Sequence, residues 1–153
     1  MAETVLTGDA IVRALQGAFA RDADREELLQ LAATRIREAG GPYTGVYMYM
    51  LHGGDLVLEA FDGRPTDHTR IPVGTGICGL AVAQRRDLNV PDVRQADGYL
   101  ACSVETRSEL VVLIRRHDEI LGQIDIDSDQ VDGFDAAEEA EVKKVADALA
   151  VLL

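Results

Sequence analysis

Two stretches of this chain read as strands that double back on themselves, with side-chain character alternating at every second residue in "YTGVYMYML" and "GQIDIDSD". The first reads "YTGVYMYML", "HGGD", "LVLEAF"; the second runs from "SELVVLIRR" around "RRHDE" to "GQIDIDSD". Strand-like runs of β-favouring residues on both sides of a turn predict a hairpin, and two hairpins predict an antiparallel sheet. The flanks carry a different period. Ile11, Leu15 and Phe19 recur at helical spacing in a first helix that starts near Thr7 or Asp9. Leu28, Leu31, Ala32 and Ile36 mark a second, with Asp24 as N-cap, Glu27 three residues later and "GGP" at its end. A third runs from its cap Asp135 through Val142, Val145, Leu149 and Leu152. Between the hairpins lie a short strand "TRIPV", a short helix "GLAVAQRR", an extended "LNVPDV" and a long connection "RQADGYLACSVET". The expected fold class is therefore α+β, with the terminal helices covering one sheet face. The short helix and long connection must close the other face, leaving a small-molecule pocket bordered by both cysteines.

The length suits one domain over residues 1–153. There is no internal repeat, and no window reaches the ~20 apolar residues of a membrane span. "MAETVLTGDA" has neither a basic nor an apolar leader region, which predicts a cytoplasmic protein with reduced thiols. The net charge of −12 argues against nucleic acid as a partner, because the one dense basic run, "IRRHDE", passes directly into acids.

"GTGICG" at residues 74–79 matches the glycine pattern of dinucleotide sites and stands between a strand and a helix. The helix is too short, however, and no parallel crossover follows, so the glycines are read as a tight turn and no bound cofactor is expected. His52, His68 and His117 lie far apart without ligand spacing, and no metal is expected. No nucleophile elbow supports a hydrolase.

Cys102 is a different matter. A lone cytosolic cysteine is usually inert and buried, but "LACS" stands in the polar connection just ahead of the strand that carries Glu109. A thiol beside carboxyl groups suits chemistry that needs a soft nucleophile and a proton donor for a leaving oxygen. A desolvated chamber would keep at least one of those acids protonated. Whether Glu109 meets Asp125 and Asp127 depends on the hairpin register. An even pairing sum puts all three on one face, an odd sum isolates Glu109, and "RRHDE" permits either.

"RIPVGTGICGLAVAQRRDLNVPDV" resembles the middle of GAF domains, and the order of elements matches that fold over nearly the whole chain. More narrowly, "GICG", "YLACS", "SELVV" and "LGQIDIDSD" together resemble the free methionine-(R)-sulfoxide reductases, which reduce the oxidised free amino acid. The resemblance implies that Cys102 is the nucleophile and that Glu109, Asp125 and Asp127 line the pocket, hold substrate and deliver a proton. It also implies substrate contacts from Tyr43 and Tyr47, thioredoxin or another thiol as external reductant, and a homodimer paired through terminal helices. On this reading the acids share a face and the register is even.

The sequence departs from that family's pattern around the site. His68 stands where the usual resolving cysteine precedes "RIP", which leaves Cys78 or an external thiol to resolve. Tyr43 replaces an indole, Tyr99 a histidine and Ser103 an aspartate. The resulting expectation is reduction of free methionine-(R)-sulfoxide through a cysteine sulfenic acid. The alternative is a non-catalytic binding or sensor module that has lost the resolving cysteine.

Overall fold

The computed structural model describes residues 6–95 and 105–153. Two helices open the chain, α1 (Gly8–Ala20) and α2 (Arg25–Ala39). The first hairpin follows as β1 (Tyr43–His52) and β2 (Asp55–Gly63), then β3 (Arg70–Pro72), the short helix α3 (Gly76–Gln84) and β4 (Leu88–Val90). A 3-10 turn (Val93–Gln95) precedes the second hairpin, β5 (Ser108–Arg116) and β6 (Glu119–Ser128), and α4 (Ala136–Leu152) closes the fold. The six strands are ordered β3-β2-β1-β6-β5-β4, and every pairing is antiparallel. The expected α+β arrangement is what the residues form. One strand of each hairpin, β1 and β6, joins the two at the centre of the sheet.

Alternation then sorts side chains into two layers. Val46, Met48 and Met50 of β1, Leu110, Val112 and Ile114 of β5, and Ile124 and Ile126 of β6 pack against α1, α2 and α4. Their odd-numbered neighbours Tyr47, Tyr49, Val111 and Leu113 pack with Ile77, Cys78, Ala81 and Val82 of α3. The central strands are thus buried on both faces, as a sheet covered from two sides requires.

Local signals set the helix ends. Asp24 Oδ1 accepts from the Glu27 amide at 2.9 Å. Asp135 Oδ1 accepts from the Glu138 amide at 2.7 Å, and Glu138 Oε1 accepts in return from the Asp135 amide at 3.2 Å, completing a capping box. In α1 the buried stripe runs Ile11, Leu15, Ala18, and Phe19 is 50% exposed, contrary to expectation. Seven residues bring a helix back to within ~20° of its starting direction, whereas eight overshoot by ~80°. The glycine pattern at 74–79 forms a turn, with Gly74 at φ +94° and Gly76 at φ +64°. A Cβ on Gly79 would lie 2.6 Å from the Pro72 carbonyl oxygen, so α3 begins hard against β3. α3 starts at Gly76, three residues earlier than read from the sequence, and ends where Arg85 takes a left-handed φ of 56°.

Asp135→Ala removes one half of the α4 capping box and should cost about 1 kcal/mol. A thermal midpoint about 2–4 °C lower is expected for a chain of this size. An unchanged midpoint would show that the cap does not anchor the helix.

Candidate active site

The register of the second hairpin is even over the stretch that matters. Glu109 lies opposite Asp127 and Val111 opposite Asp125, so the three carboxylates stand on the face that α3 covers. All are sequestered: Glu109 and Asp127 are 2% exposed and Asp125 is 0% exposed. Leu110, Ile124 and Ile126, between them in sequence, point to the helical layer.

The first turns of α3 lower Cys78 onto this face. Its Sγ donates to Glu109 Oε2 at 3.5 Å, and the donor atoms of Cys78, Glu109 and Asp125 lie within 4.8 Å of one another. Gln123, on β6 two residues before Asp125 and fully buried, donates from Nε2 to the Cys78 carbonyl oxygen at 3.0 Å. Across the sheet Tyr47 is the β1 neighbour of Asp125, and its hydroxyl donates to the Arg64 carbonyl at 2.6 Å. Gly45 makes that ring position possible, because a Cβ there would fall 2.3 Å from the Tyr47 hydroxyl oxygen. Tyr49 donates to the His68 carbonyl at 2.6 Å, which ties the segment ahead of β3 to the same layer.

Burial dominates the electrostatics. Loss of solvent, then the charges of Asp125 and Asp127 and the closeness of the Asp125 carboxyl, push Glu109 well above its ordinary value of 4.5; the Cys78 hydrogen bond opposes them. Burial also raises Asp125, against the neighbouring Glu109 and Cys78 groups, which lower it. Acids this close cannot all ionise without water, so the chamber favours a carboxylic acid at neutral pH. Such a group can give a proton to an oxygen that leaves in a reaction. The Cys78, Glu109 and Asp125 donors are close enough for a thiophilic divalent cation, but binding one would require removing the protons that burial retains.

The structure brings Glu109, Asp125, Asp127, Cys78 and Tyr47 together. Tyr43 is not among them. A register shift between Tyr43 and Gly45 turns it to the helical side, where its ring lies 5.3 Å from that of Phe134 and its hydroxyl donates to Glu138 Oε2 at 2.5 Å. This corrects its expected place beside a substrate. Cys102, Tyr99 and Ser103 fall in 96–104, outside the described residues, and so does that wall of the expected pocket. A cleft of about 420 Å³ lies on the helical side, lined by Asp9, Val12 and Gln16 of α1 and Lys144, Asp147 and Val151 of α4. The sequence reading missed Gln123, although it precedes Asp125 and Asp127 at the same two-residue spacing.

Comparison with known proteins places these features. The GAF domain family matches residues 24–153. A type II free methionine-R-sulfoxide reductase from Thermoplasma acidophilum is 37% identical, with a TM-score of 0.78 over 93% of this chain and 94% of that one. The free methionine-R-sulfoxide reductase of Neisseria meningitidis, solved with its substrate, is 27% identical, with a TM-score of 0.88 over 99% and 91%. The Escherichia coli free methionine-R-sulfoxide reductase is 38% identical over 106 residues, 69% of this chain and 59% of that protein. The yeast enzyme of that name is 39% identical over 92 residues, 60% and 51%. The chain thus spans between half and two thirds of the length of these two curated relatives. No helix among the described residues is long and apolar enough to cross a membrane.

Unfolded, Glu109 ionises near 4.5; folded, it holds its proton to higher pH. The folded state binds more protons across that window and loses stability as pH rises through it. Glu109→Gln removes the ionisation, so its thermal midpoint should exceed the parent's by about 3 °C or more at pH 8. The gap should be smaller at pH 5. A gap independent of pH, or a lower midpoint at pH 8, would contradict the assignment.

Proposed function

This chain belongs to the GAF domain family, and we propose that within it the protein is a thiol-dependent reductase of free methionine-(R)-sulfoxide. The observation that carries the reading is the set of three buried carboxyl groups gathered by the even register beneath Cys78. The kinship with reductases of that name over nearly the full chain supports it. Cys102 is the nucleophile: its thiolate attacks the sulfoxide sulfur. A carboxylic acid of the cluster, whose Glu109 and Asp125 are both raised by burial, gives its proton to the oxygen as the sulfur–oxygen bond breaks. The hydroxyl passes to the Cys102 sulfur as the transient sulfur–sulfur bond to the substrate breaks, so methionine leaves as the thioether and Cys102 is left as a sulfenic acid. A second thiol then displaces water from that sulfur to form a disulfide, and a thioredoxin-type dithiol returns two electrons to restore the enzyme.

Asp125 and Asp127 complete the acidic wall and hold the substrate, while Tyr47, fixed through Arg64, forms part of the floor. Cys78 is the resolving thiol available within this chain, since His68 occupies the alternative position. The protein acts in the cytoplasm as a homodimer, and the α1–α4 surface, with Val151 81% exposed, is the face for pairing.

The test is a thioredoxin-coupled assay that compares free R, free S and peptide-bound methionine sulfoxide. Consumption of the free R isomer alone is expected. Saturable binding without turnover would identify a binding module instead. Cys102→Ser should abolish turnover without altering the thermal midpoint, and retained activity would remove Cys102 from the role. Glu109→Gln should lower kcat by about 10²-fold. After a single turnover without reductant, mass spectrometry should find Cys78 bridged to Cys102; a lasting sulfenic acid would assign resolution to an external thiol.

A further inference from the structure

Gln123 is a neutral polar group on the acid-lined face, with a partner for its amide nitrogen and none among the described residues for its amide oxygen. It is 0% exposed; its Nε2 donates to the Cys78 carbonyl at 3.0 Å, while its Oε1 has no hydrogen-bond donor among the described residues. A carbonyl only accepts, so this contact fixes which end of the amide faces α3. With Nε2 anchored there, Oε1 stays in the layer between β6 and α3, the layer that also contains Cys78 Sγ and the carboxyl groups of Glu109 and Asp125. An acceptor buried without a donor is costly, and the cost is recovered when a ligand brings an N–H. The flanking groups exclude an anionic ligand at this point, because Asp125 and Asp127 follow on the same strand face.

We infer that Gln123 is a specificity-determining residue whose Oε1 accepts a hydrogen bond from a cationic N–H donor on the ligand. For a free amino acid that donor is the α-ammonium group. The inference rests on the reductase reading and extends it. A peptide-bound residue offers only a neutral amide N–H, a weaker donor than the ammonium, so Gln123 contributes to the preference for the free amino acid. An uncharged acceptor suits this task beside acids that must keep a proton, since a further carboxylate would add to their repulsion.

The test compares free methionine-(R)-sulfoxide with its deamino analogue, in which hydrogen replaces the ammonium group. The analogue is measured as a substrate or, if it is not turned over, as a competitive inhibitor. Gln123→Met preserves side-chain length and removes the acceptor. It should raise KM for the amino acid roughly tenfold or more, leave kcat within about twofold, and leave the analogue's constant unchanged. Gln123→Glu, held protonated in this chamber, offers an O–H to Cys78 and a carbonyl to the ligand and should restore a low KM. Equal shifts for both compounds would show a residue that only positions α3, and would overturn the inference while leaving the reductase reading intact. Failure of the parent protein to turn over the amino acid at all would overturn the reading, and the inference with it.

Discussion

Three carboxyl groups taken out of water on one face of a sheet form the constraint around which the rest of this molecule is arranged. Each would rather be solvated, and together they cannot all carry charge. Their burial is imposed by the pairing of β5 with β6, which places Glu109 opposite Asp127 and Asp125 opposite Val111. That pairing is held by the opposite face, where Leu110, Val112, Ile124 and Ile126 fill the layer under the helices. A one-residue slip would exchange the faces, putting acids under the helices and isoleucines into the chamber. The apolar core therefore stabilises a register that the acids alone would not choose.

Several side chains that take no part in proton chemistry act to keep the chamber closed. Gly45 yields space to the Tyr47 ring, and Tyr47 and Tyr49 fasten the backbone of Arg64 and His68 across the sheet. Gly79 lets α3 meet the turn after β3, and Gln123 holds that helix from below. Arg64 also forms a two-point ion pair with Asp129 at 3.0 and 2.9 Å, joining the end of β2 to the end of β6. These contacts link the pocket's chemistry to a scaffold whose stability comes mainly from the other layer.

Much of this was legible in the sequence because it is set locally. Asp24 and Asp135 announce helix starts through contacts three residues away, and "HGGD" announces a hairpin. The register of the second hairpin was not legible, for an equally physical reason. "LVVLI" in β5 is apolar on both faces, so it accepts either pairing, and the turn does not discriminate. Tyr43 left its expected face because of a bulge at Thr44 that alternation cannot reveal. Phe19 was misplaced by rounding a period of 3.6 up to 4. Gln123 could have been found, since strand parity alone puts it beside Asp125; a neutral amide simply drew less notice than two acids.

The arrangement of this face rests on a proton that it retains at neutral pH. Carboxyl carbon chemical shifts, followed by NMR from pH 4 to pH 9 with Glu109→Gln and Asp125→Asn variants for assignment, test it most directly. At pH 7 the Glu109 carboxyl should still show the shift of the un-ionised acid and titrate only at higher pH. Three carboxylates fully ionised at pH 7, each titrating near its ordinary value, would contradict it.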